Sequence, residues 1–398
     1  MKRAAVVAPV RTPIGAFGGA LRSLTAARLA SASIKGVVER SGIDAELIDD
    51  VVFAQSYANS EAPCIGRWAA LDAGLPIHVP GMQLDRRCGS GLQAVLTAAM
   101  MVQTGAADVV IAGGVESMSN IEHYSCDVRW GSRSASVTLH DRLSRGREMS
   151  QPEWRFGSIS SMVETAENLA QQYGLTRQEA DEFAVRSHRL AFESASRGAF
   201  DDEVVPVVVP QRRGEPLTVS KDEGIRGDTT LDRLAALRTV VPGGTVTAGN
   251  ASQQNDAAAA CLIVAEDRLD ELGLDPMGYL VDWAAVGCDP ATMGLGPVGA
   301  VKKLFKRTAL SFDDMARVEI NEAFAVQVLA VLAEWDWRDD KKLNVNGSGI
   351  SLGHPIGATG VRILTTMLHD LRRSGGGLGL ETMCIGGGQG LAAIFESA

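Results

Sequence analysis

The sequence has no surplus of positive charge: 38 lysines and arginines stand against 48 aspartates and glutamates in 398 residues, a formal charge of −10. This balance argues against a general binder of nucleic-acid backbones, and an anionic ligand would need a local positive pocket. The six cysteines include no Cys-x-x-Cys pair, which removes the spacing expected of zinc ribbons and thioredoxin-like sites. No P-loop or His-Glu-x-x-His motif is present. The longest uncharged run, residues 88–107, contains serine, threonine and glutamine and predicts a buried helix rather than a membrane span.

The two ends of the sequence carry no pattern typical of a targeting segment. The apolar run over residues 4–8 is short and is followed by Pro9 and Arg11, so it predicts a first β-strand rather than a signal peptide. Residues 395–398 differ from a peroxisomal Ser-Lys-Leu ending. We therefore expect a cytoplasmic, bacterial-type protein in a reducing compartment.

Short β-branched apolar runs alternate with helix-like segments, which predicts an α/β fold. The runs that are typical of buried strands lie at residues 51–54, 109–112, 318–320 and 343–345. Two segments also resemble each other weakly, because residues 85–91 and 346–360 each precede a helix and then a strand. This similarity favours a duplicated half.

The stretch between about Ser119 and Gly249 is polar and rich in arginine and serine, and we interpret it as an inserted loop domain. Within it, Thr176 and Glu179 have the spacing of a capping box, and Gly198 is placed to end the helix that follows. We expect the apolar stripe of that helix to pack against the core.

Cys88 is a candidate nucleophile. It lies where a strand-like segment meets small residues and then an apolar helix pattern, in Leu84 to Leu92. A helix N-terminus would stabilise a thiolate, and Gly89 and Gly91 would let an acyl group approach the backbone. From this segment alone, an inert buried cysteine in a tight turn remains an open alternative.

Three further residues would suit such a nucleophile. His354 lies in the glycine-rich stretch 353–360, which would leave an imidazole room to act as a base for a thiol. Cys384 precedes Gly386 and its neighbouring glycines, whose backbone N–H groups would face an oxyanion. Asn321 stands between a strand and a helix, where its amide would hold a water or a carbonyl oxygen, although alone it is also a good N-cap.

Two other interpretations compete with this one. Residues 294–299 have the spacing of a dinucleotide fingerprint, but no strand leads into them and Pro297 lacks a donor amide, which favours a turn and a helix start. Cys88, His354 and Asn321 also resemble the set used by cysteine hydrolases. That interpretation leaves the second cysteine, in its glycine-rich turn, without a role.

In combination, the motifs resemble those of the thiolase family and occur in its order. The four that carry the resemblance are Cys88-Gly89-Ser90-Gly91, Asn321-Glu322-Ala323-Phe324, Gly353-His354-Pro355-Ile356-Gly357 and Cys384-Ile385-Gly386-Gly387-Gly388. Further matching blocks span nearly the whole chain: residues 11–15, 113–119, 165–168 and 244–252.

The resemblance implies a five-layered α-β-α-β-α fold of two similar halves with an inserted loop domain. We expect an N-terminal half at 1–118 and 250–270, a loop domain at 119–249 for coenzyme A binding and oligomer contacts, and a C-terminal half at 271–398. The family also implies homodimers or homotetramers, with no nucleic-acid or membrane partner.

Carried over residue by residue, the resemblance implies a two-stage thioester chemistry. Cys88 would be acylated, and His354 would be the base that activates it. Cys384 would move the α-proton of the acetyl-CoA half. Asn321, through a water, would join His354 in binding that thioester oxygen, and the N–H groups of Cys88 and Gly386 would hold the oxyanion of the acyl-enzyme.

For coenzyme A, the resemblance implicates Ser252 and places Arg226 near the nucleotide end. Coenzyme A and acetyl-CoA would be substrates, with no metal site and no tightly bound cofactor. The chain departs from residues common in the family at positions that bear on the acyl pocket and the pantetheine tunnel: Asp85, Val163, Gln253, Gln254 and Gly299.

The expected function is that of an acetyl-CoA C-acyltransferase, with acetoacetyl-CoA as the first substrate to consider. The alternatives are a longer-chain 3-ketoacyl-CoA thiolase of fatty-acid β-oxidation and, from a different class, a non-catalytic acyl-CoA or lipid carrier with a thiolase fold. A decarboxylating ketoacyl synthase is disfavoured, because such relatives use a second histidine where this chain has Cys384.

Overall fold

The computed structural model describes residues 2–398, which form one large mixed sheet, two small hairpins and helices on the sheet faces. The strands, in chain order, are β1 Ala4–Arg11, β2 Gly15–Ala16, β3 Asp50–Ala54, β4 Met82–Leu84, β5 Val109–Ser117, β6 His123–Tyr124, β7 His140–Asp141, β8 Val207–Val209, β9 Leu217–Val219, β10 Asn255–Ala265, β11 Pro276–Gly287, β12 Met315–Ile320, β13 Leu378–Ile385 and β14 Gln389–Ser397. The α-helices are α1 Ala26–Ser41, α2 Ile65–Ala73, α3 Ser90–Thr104, α4 Arg142–Glu148, α5 Glu153–Phe156, α6 Met162–Tyr173, α7 Arg177–Ser196, α8 Leu231–Ala235, α9 Leu269–Leu272, α10 Gly296–Thr308, α11 Ala325–Trp335 and α12 Thr359–Ser374.

The same strand pairing occurs twice in the large sheet. In the first set, β3 is parallel to β5, which pairs antiparallel with β10 and then β1. In the second set, β12 is parallel to β13, which pairs antiparallel with β14 and then β11. The two sets join where β1 pairs with β11. The duplicated half predicted from the sequence is therefore present in the topology.

The helices complete five layers around these two strand sets. Helices α1 and α2 cover the outer face of the first set, and α10 covers the outer face of the second. Helices α3 and α12 pack on each other between the sets, in a core to which both sets contribute side chains. Strand alternation explains this division, since Met383 and Ile385 face the central core whereas Leu380 and Cys384 face the outer one. The predicted α-β-α-β-α fold is confirmed.

Several local predictions are confirmed and one is wrong. The capping box of Thr176 and Glu179 starts α7, and α3 is the buried helix predicted within residues 88–107. The segment 343–345, expected to be a strand, makes only isolated bridges, through Leu343 to Val318 and through Val345 to Gly347. The side chain of Asn344 instead accepts a hydrogen bond from the Ile320 N–H and donates one to the Ile320 carbonyl.

The chain leaves the large sheet after β5 and returns at β10, so residues 118–254 lie outside it. Strands β5 and β10 nevertheless pair along their whole length, from Ser117 opposite Asp256 to Val109 opposite Val264. Among residues 2–398, no helix has the length and apolar character needed to cross a bilayer.

Candidate active site

Cys88 lies in a single 3-10 turn, Arg87–Gly89, directly before α3. The turn is held by Asp85, whose carboxylate accepts hydrogen bonds from Arg87 N–H at 2.6 Å and from the Ser90 hydroxyl at 3.2 Å. The Ser56 hydroxyl donates to the Arg87 carbonyl at 3.0 Å. Asp85, one of the departures from the family pattern, therefore supports the turn as a hydrogen-bond acceptor.

The Cys88 thiol is partly buried and is not a preformed thiolate. Burial raises its pKa, against the opposing effects of the Gly386 N–H, the Arg87 charge, its own N–H and the Arg147 charge. Desolvation outweighs the groups that favour the charged form, and the stabilisation expected from the helix N-terminus stays a prediction. The two N–H groups predicted to form an oxyanion hole, those of Cys88 and Gly386, both act on this sulfur.

His354 is buried, and its hydrogen bonds identify which ring nitrogen carries the proton. The Thr359 hydroxyl donates to the Pro355 carbonyl at 2.9 Å, so its oxygen can only accept from His354 Nδ1–H, 2.6 Å away. The Nε2 lone pair is then left for chemistry, and Asn321 Nδ2 lies 3.4 Å from it. Burial and the charges of Arg362 and Arg147 lower the pKa of His354 to about 3, so the ring is a neutral base at pH 7.

The glycines around His354 serve close packing rather than an opening. Gly353 has a φ of +112°, and a Cβ there would overlap the side chain of Asn255, which accepts the His354 N–H at 2.9 Å. A Cβ at Gly360 would overlap the backbone of Leu92 in the first turn of α3. These contacts bring the loop of His354 against the helix that follows Cys88.

Cys384 is fully buried near the end of β13. Burial raises its pKa well above the ordinary range, and the charges that Cys88 and Cys288 would carry raise it further. Cys384 is therefore a neutral thiol close to Cys88. After it, the chain turns sharply at Gly387 and Gly388, whose φ angles are +86° and +82°.

Asn321 lies directly after β12, with its N–H bonded to the Thr382 carbonyl at 3.0 Å. Its interpretation as an N-cap is wrong, because α11 begins at Ala325 and Phe324 holds the cap position. Its side chain is buried, and Oδ1 has no hydrogen-bond partner within residues 2–398. The side-chain amide of Asn321 therefore has its nitrogen beside His354 and its oxygen free to accept a hydrogen bond.

The two residues expected at coenzyme A lie on separate segments. Ser252 is partly buried, and its N–H bonds to the Ala323 carbonyl at 2.9 Å, two residues from Asn321. Arg226 is exposed, with its N–H 3.3 Å from His188 Nδ1. Gln253, another departure, joins these regions by donating to the carbonyls of Gly224 and Ile350 at 3.0 Å each.

The sequence analysis did not identify two residues that support the site, because neither is adjacent to a cysteine or histidine of a motif. Glu116, on β5, accepts hydrogen bonds from the N–H groups of Ser56, Tyr57 and Gly357 at 3.1 to 3.3 Å and so joins the loop after β3 to the loop of His354. Burial raises its pKa to about 8 in spite of these bonds. Glu116 lies in the matching block 113–119, which was the available signal. For Thr359, the sequence offered no signal except its position five residues after His354.

No group of three or more histidine, cysteine, aspartate or glutamate side chains is arranged to hold a metal ion in the part of the chain that the structure describes. All six cysteines are free thiols.

Comparisons with known proteins agree with this fold. The thiolase N-terminal domain model matches residues 4–267, and the thiolase C-terminal domain model matches residues 274–397. An acetyl-CoA acetyltransferase of Chromobacterium violaceum is 43% identical over 394 residues, covering 98% of this chain and 99% of the relative. The crystal structure of the Bacillus anthracis acetyl-CoA acetyltransferase superposes with a TM-score of 0.96 at 42% identity, covering 100% of this chain and 99% of that one. The crystal structure of human mitochondrial 3-ketoacyl-CoA thiolase in complex with CoA superposes with a TM-score of 0.93 at 37% identity, covering 100% of this chain and 98% of that one.

The layered fold, the two matching domain models and the full-length relatives define an acyltransferase. The chain belongs to the thiolase family.

Proposed function

We propose that this protein is an acetyl-CoA acetyltransferase that condenses two acetyl-CoA molecules reversibly to acetoacetyl-CoA and coenzyme A through an acetyl-Cys88 intermediate. One observation carries the proposal most directly. The N–H groups of Cys88 and Gly386 both act on the Cys88 sulfur, the buried thiol of Cys384 lies within charge range of it, and the loop of His354 packs against the helix that follows Cys88. The names of the full-length relatives support the same activity.

In the first half of the reaction, His354 Nε2 takes the Cys88 proton and the sulfur attacks the acyl carbon. The raised pKa of the Cys88 thiol explains why a base is needed. The N–H groups of Cys88 and Gly386 stabilise the oxygen that becomes negative in the tetrahedral intermediate. The free Oδ1 of Asn321 supports its proposed role, because it would hold the water that binds the acetyl-CoA thioester oxygen beside His354.

In the second half, Cys384 transfers the α-proton. During thiolysis its neutral thiol protonates the acetyl-CoA enolate, and its raised pKa suits a proton donor at neutral pH. During condensation, Cys384 gives its proton to the coenzyme A thiolate that leaves when Cys88 is acetylated, and the resulting Cys384 thiolate removes the α-proton of the second acetyl-CoA. One set of residues therefore serves both directions.

The native chain is expected to cleave acetoacetyl-CoA in the presence of coenzyme A and to become acetylated on Cys88 when given acetyl-CoA alone. The cleavage rate and the mass of the Cys88 peptide measure these two outcomes. Native protein that neither cleaves acetoacetyl-CoA nor acquires the acetyl group would refute the proposal.

Replacing Thr359 with valine is expected to lower kcat by about tenfold to a hundredfold, because His354 would lose the acceptor that keeps the proton on Nδ1. Thr359→Ser keeps the hydroxyl and should restore most of the rate. The check is kcat and its pH profile for both variants. Equal losses in the serine and valine variants would contradict a role for the hydroxyl.

The remaining expectations stand as part of this proposal. Ser252 and Arg226 would contact coenzyme A, and the halves and loop domain would have the boundaries 1–118 with 250–270, 119–249 and 271–398. No metal or tightly bound cofactor enters the proposed reaction. Free thiols suit a reducing, cytoplasmic location.

Assembly into a homodimer or homotetramer is also proposed. Its support is the exposure of large apolar side chains in the segment 119–150, where Trp130 is 97% and Leu139 is 68% exposed.

A further inference from the structure

The side chain of Gln253 connects two segments that lie far apart in the sequence. Its Nε2 donates hydrogen bonds to the carbonyl oxygens of Gly224 and Ile350, both at 3.0 Å. Because both partners can only accept, the amide nitrogen must face them, and both of its hydrogens are used. A Cβ at Gly224 would lie 3.0 Å from the same nitrogen and 3.0 Å from the Ser351 carbonyl oxygen, so the two segments are in close contact.

The loop that Gln253 contacts at Ile350 lies directly against Asn321. A Cβ at Gly349 would lie 2.8 Å from Asn321 Oδ1. The Ile350 N–H donates to the carboxylate of Glu322, the residue after Asn321, at 3.3 Å. Ile350 is therefore held through its N–H by the segment of the candidate site and through its carbonyl by Gln253.

The other segment that Gln253 contacts, residues 221–226, is anchored firmly at its beginning. The Asp222 carboxylate accepts hydrogen bonds from the buried Arg11 guanidinium at 2.7 and 2.9 Å and from the Ile14 N–H at 2.8 Å. A bidentate, charge-assisted pair of this kind is stronger than a neutral hydrogen bond. It fixes the start of the segment to the end of β1.

The end of this segment, which carries the exposed Arg226, is held by neutral hydrogen bonds. The Arg226 N–H lies 3.3 Å from His188 Nδ1, and burial lowers the pKa of His188 to about 4, so the ring is uncharged at pH 7. The second bond is the one from Gln253 to the Gly224 carbonyl. Since a neutral hydrogen bond contributes little by itself, losing the Gln253 bond would loosen this end while Asp222 still held the beginning.

We propose that Gln253 is a positioning residue for coenzyme A, which clamps the segment of Arg226 onto the loop against Asn321 and so fixes the nucleotide contact relative to the site. The inference rests on the proposed function, in which Arg226 and Ser252 contact coenzyme A. It gives a role to Gln253, one of the departures from the family pattern. Without the clamp, the segment would have to be ordered when coenzyme A binds, and this entropy cost weakens binding.

The test begins with a substitution that keeps the size of the side chain. Gln253→Glu places an oxygen against the two carbonyl oxygens, so that both hydrogen bonds are replaced by repulsion. Kd for coenzyme A, and KM for coenzyme A in acetoacetyl-CoA thiolysis, should rise about 3- to 30-fold, while kcat falls less than about threefold. Gln253→Ala loses the bonds without adding repulsion and should show a smaller rise. Equilibrium titration and steady-state kinetics measure these changes.

A shortened substrate pair separates positioning of the nucleotide contact from a general disturbance of the site. Acetoacetyl-pantetheine, with pantetheine as the thiol, has no nucleotide for the segment of Arg226 to contact. Its kcat/KM should therefore be the same in the native protein and in both Gln253 variants. A defect in the fold or in the site itself would lower this value together with that for the coenzyme A substrates.

Gln211→Glu is the matched control, because Gln211 also donates its amide to a main-chain carbonyl, that of Val209 at 3.2 Å, at the end of β8. Its Kd, KM and kcat should equal those of the native protein. An unchanged Kd and KM for coenzyme A in both Gln253 variants, or an equal loss with acetoacetyl-pantetheine, would overturn the inference while leaving the proposed function intact. Native protein that cleaved neither thioester would instead refute the proposed function.

Discussion

Cys88→Ala is expected to lower both thiolysis and condensation by at least about 10⁴-fold, because the sulfur that carries the acyl group is gone. Losing the nucleophile of a hydrolase has a cost of about 10⁶ in kcat, and only binding and oxyanion stabilisation remain. Transfer of the acetyl group from acetyl-CoA to the protein should vanish as well. The measurements are the two steady-state rates and the mass of the intact protein after incubation with acetyl-CoA.

Cys126→Ala serves as the control for this variant. Cys126 is an exposed free thiol, so its loss tests whether alkylation or oxidation of an accessible cysteine affects the assay. Its rates should match those of the native protein. If Cys88→Ala retained acetylation at another cysteine together with substantial thiolysis, the assignment of the nucleophile would be wrong.

Cys384→Ala is expected to separate the two halves of the reaction. Cys88, His354 and the Cys88 and Gly386 N–H groups remain, so acetylation by acetyl-CoA should continue. Thiolysis and condensation should fall by about 10²- to 10⁴-fold, the usual contribution of a positioned acid or base. Rapid-quench measurement of acetyl-enzyme beside the steady-state rate would show this split.

The matched control for Cys384→Ala is Cys261→Ala, because Cys261 is also fully buried but lies on β10 in the central core. Each substitution leaves a small cavity, so both should lower stability similarly, and thermal unfolding of both variants measures that effect. Only Cys384→Ala should lose turnover. Loss of acetylation as well as turnover in Cys384→Ala would point to a structural role.

Several helices and the alternation of strands and helices could be predicted from the sequence. The capping box at Thr176 and Glu179 predicted α7, because the pattern is satisfied by atoms within four residues. The uncharged run after Cys88 predicted α3, and the alternation of strand and helix patterns predicted an α/β fold. The strand predicted at residues 343–345 is absent because the backbone partners of this segment are set by distant parts of the chain, and only single bridges form there.

The sequence by itself determined the fold class, the duplicated plan and the candidate catalytic residues, since these depend on local periodicity and on motifs of adjacent residues. Only the tertiary structure decided the protonation of His354, the raised pKa of Cys88 and the hydrogen bonds by which Glu116 joins two loops. The physical reason is that burial, hydrogen-bond direction and charge pairing depend on groups far apart in the chain. Thr359 orients His354 and Gly386 faces Cys88 only because α3, α12 and the end of β13 converge in space.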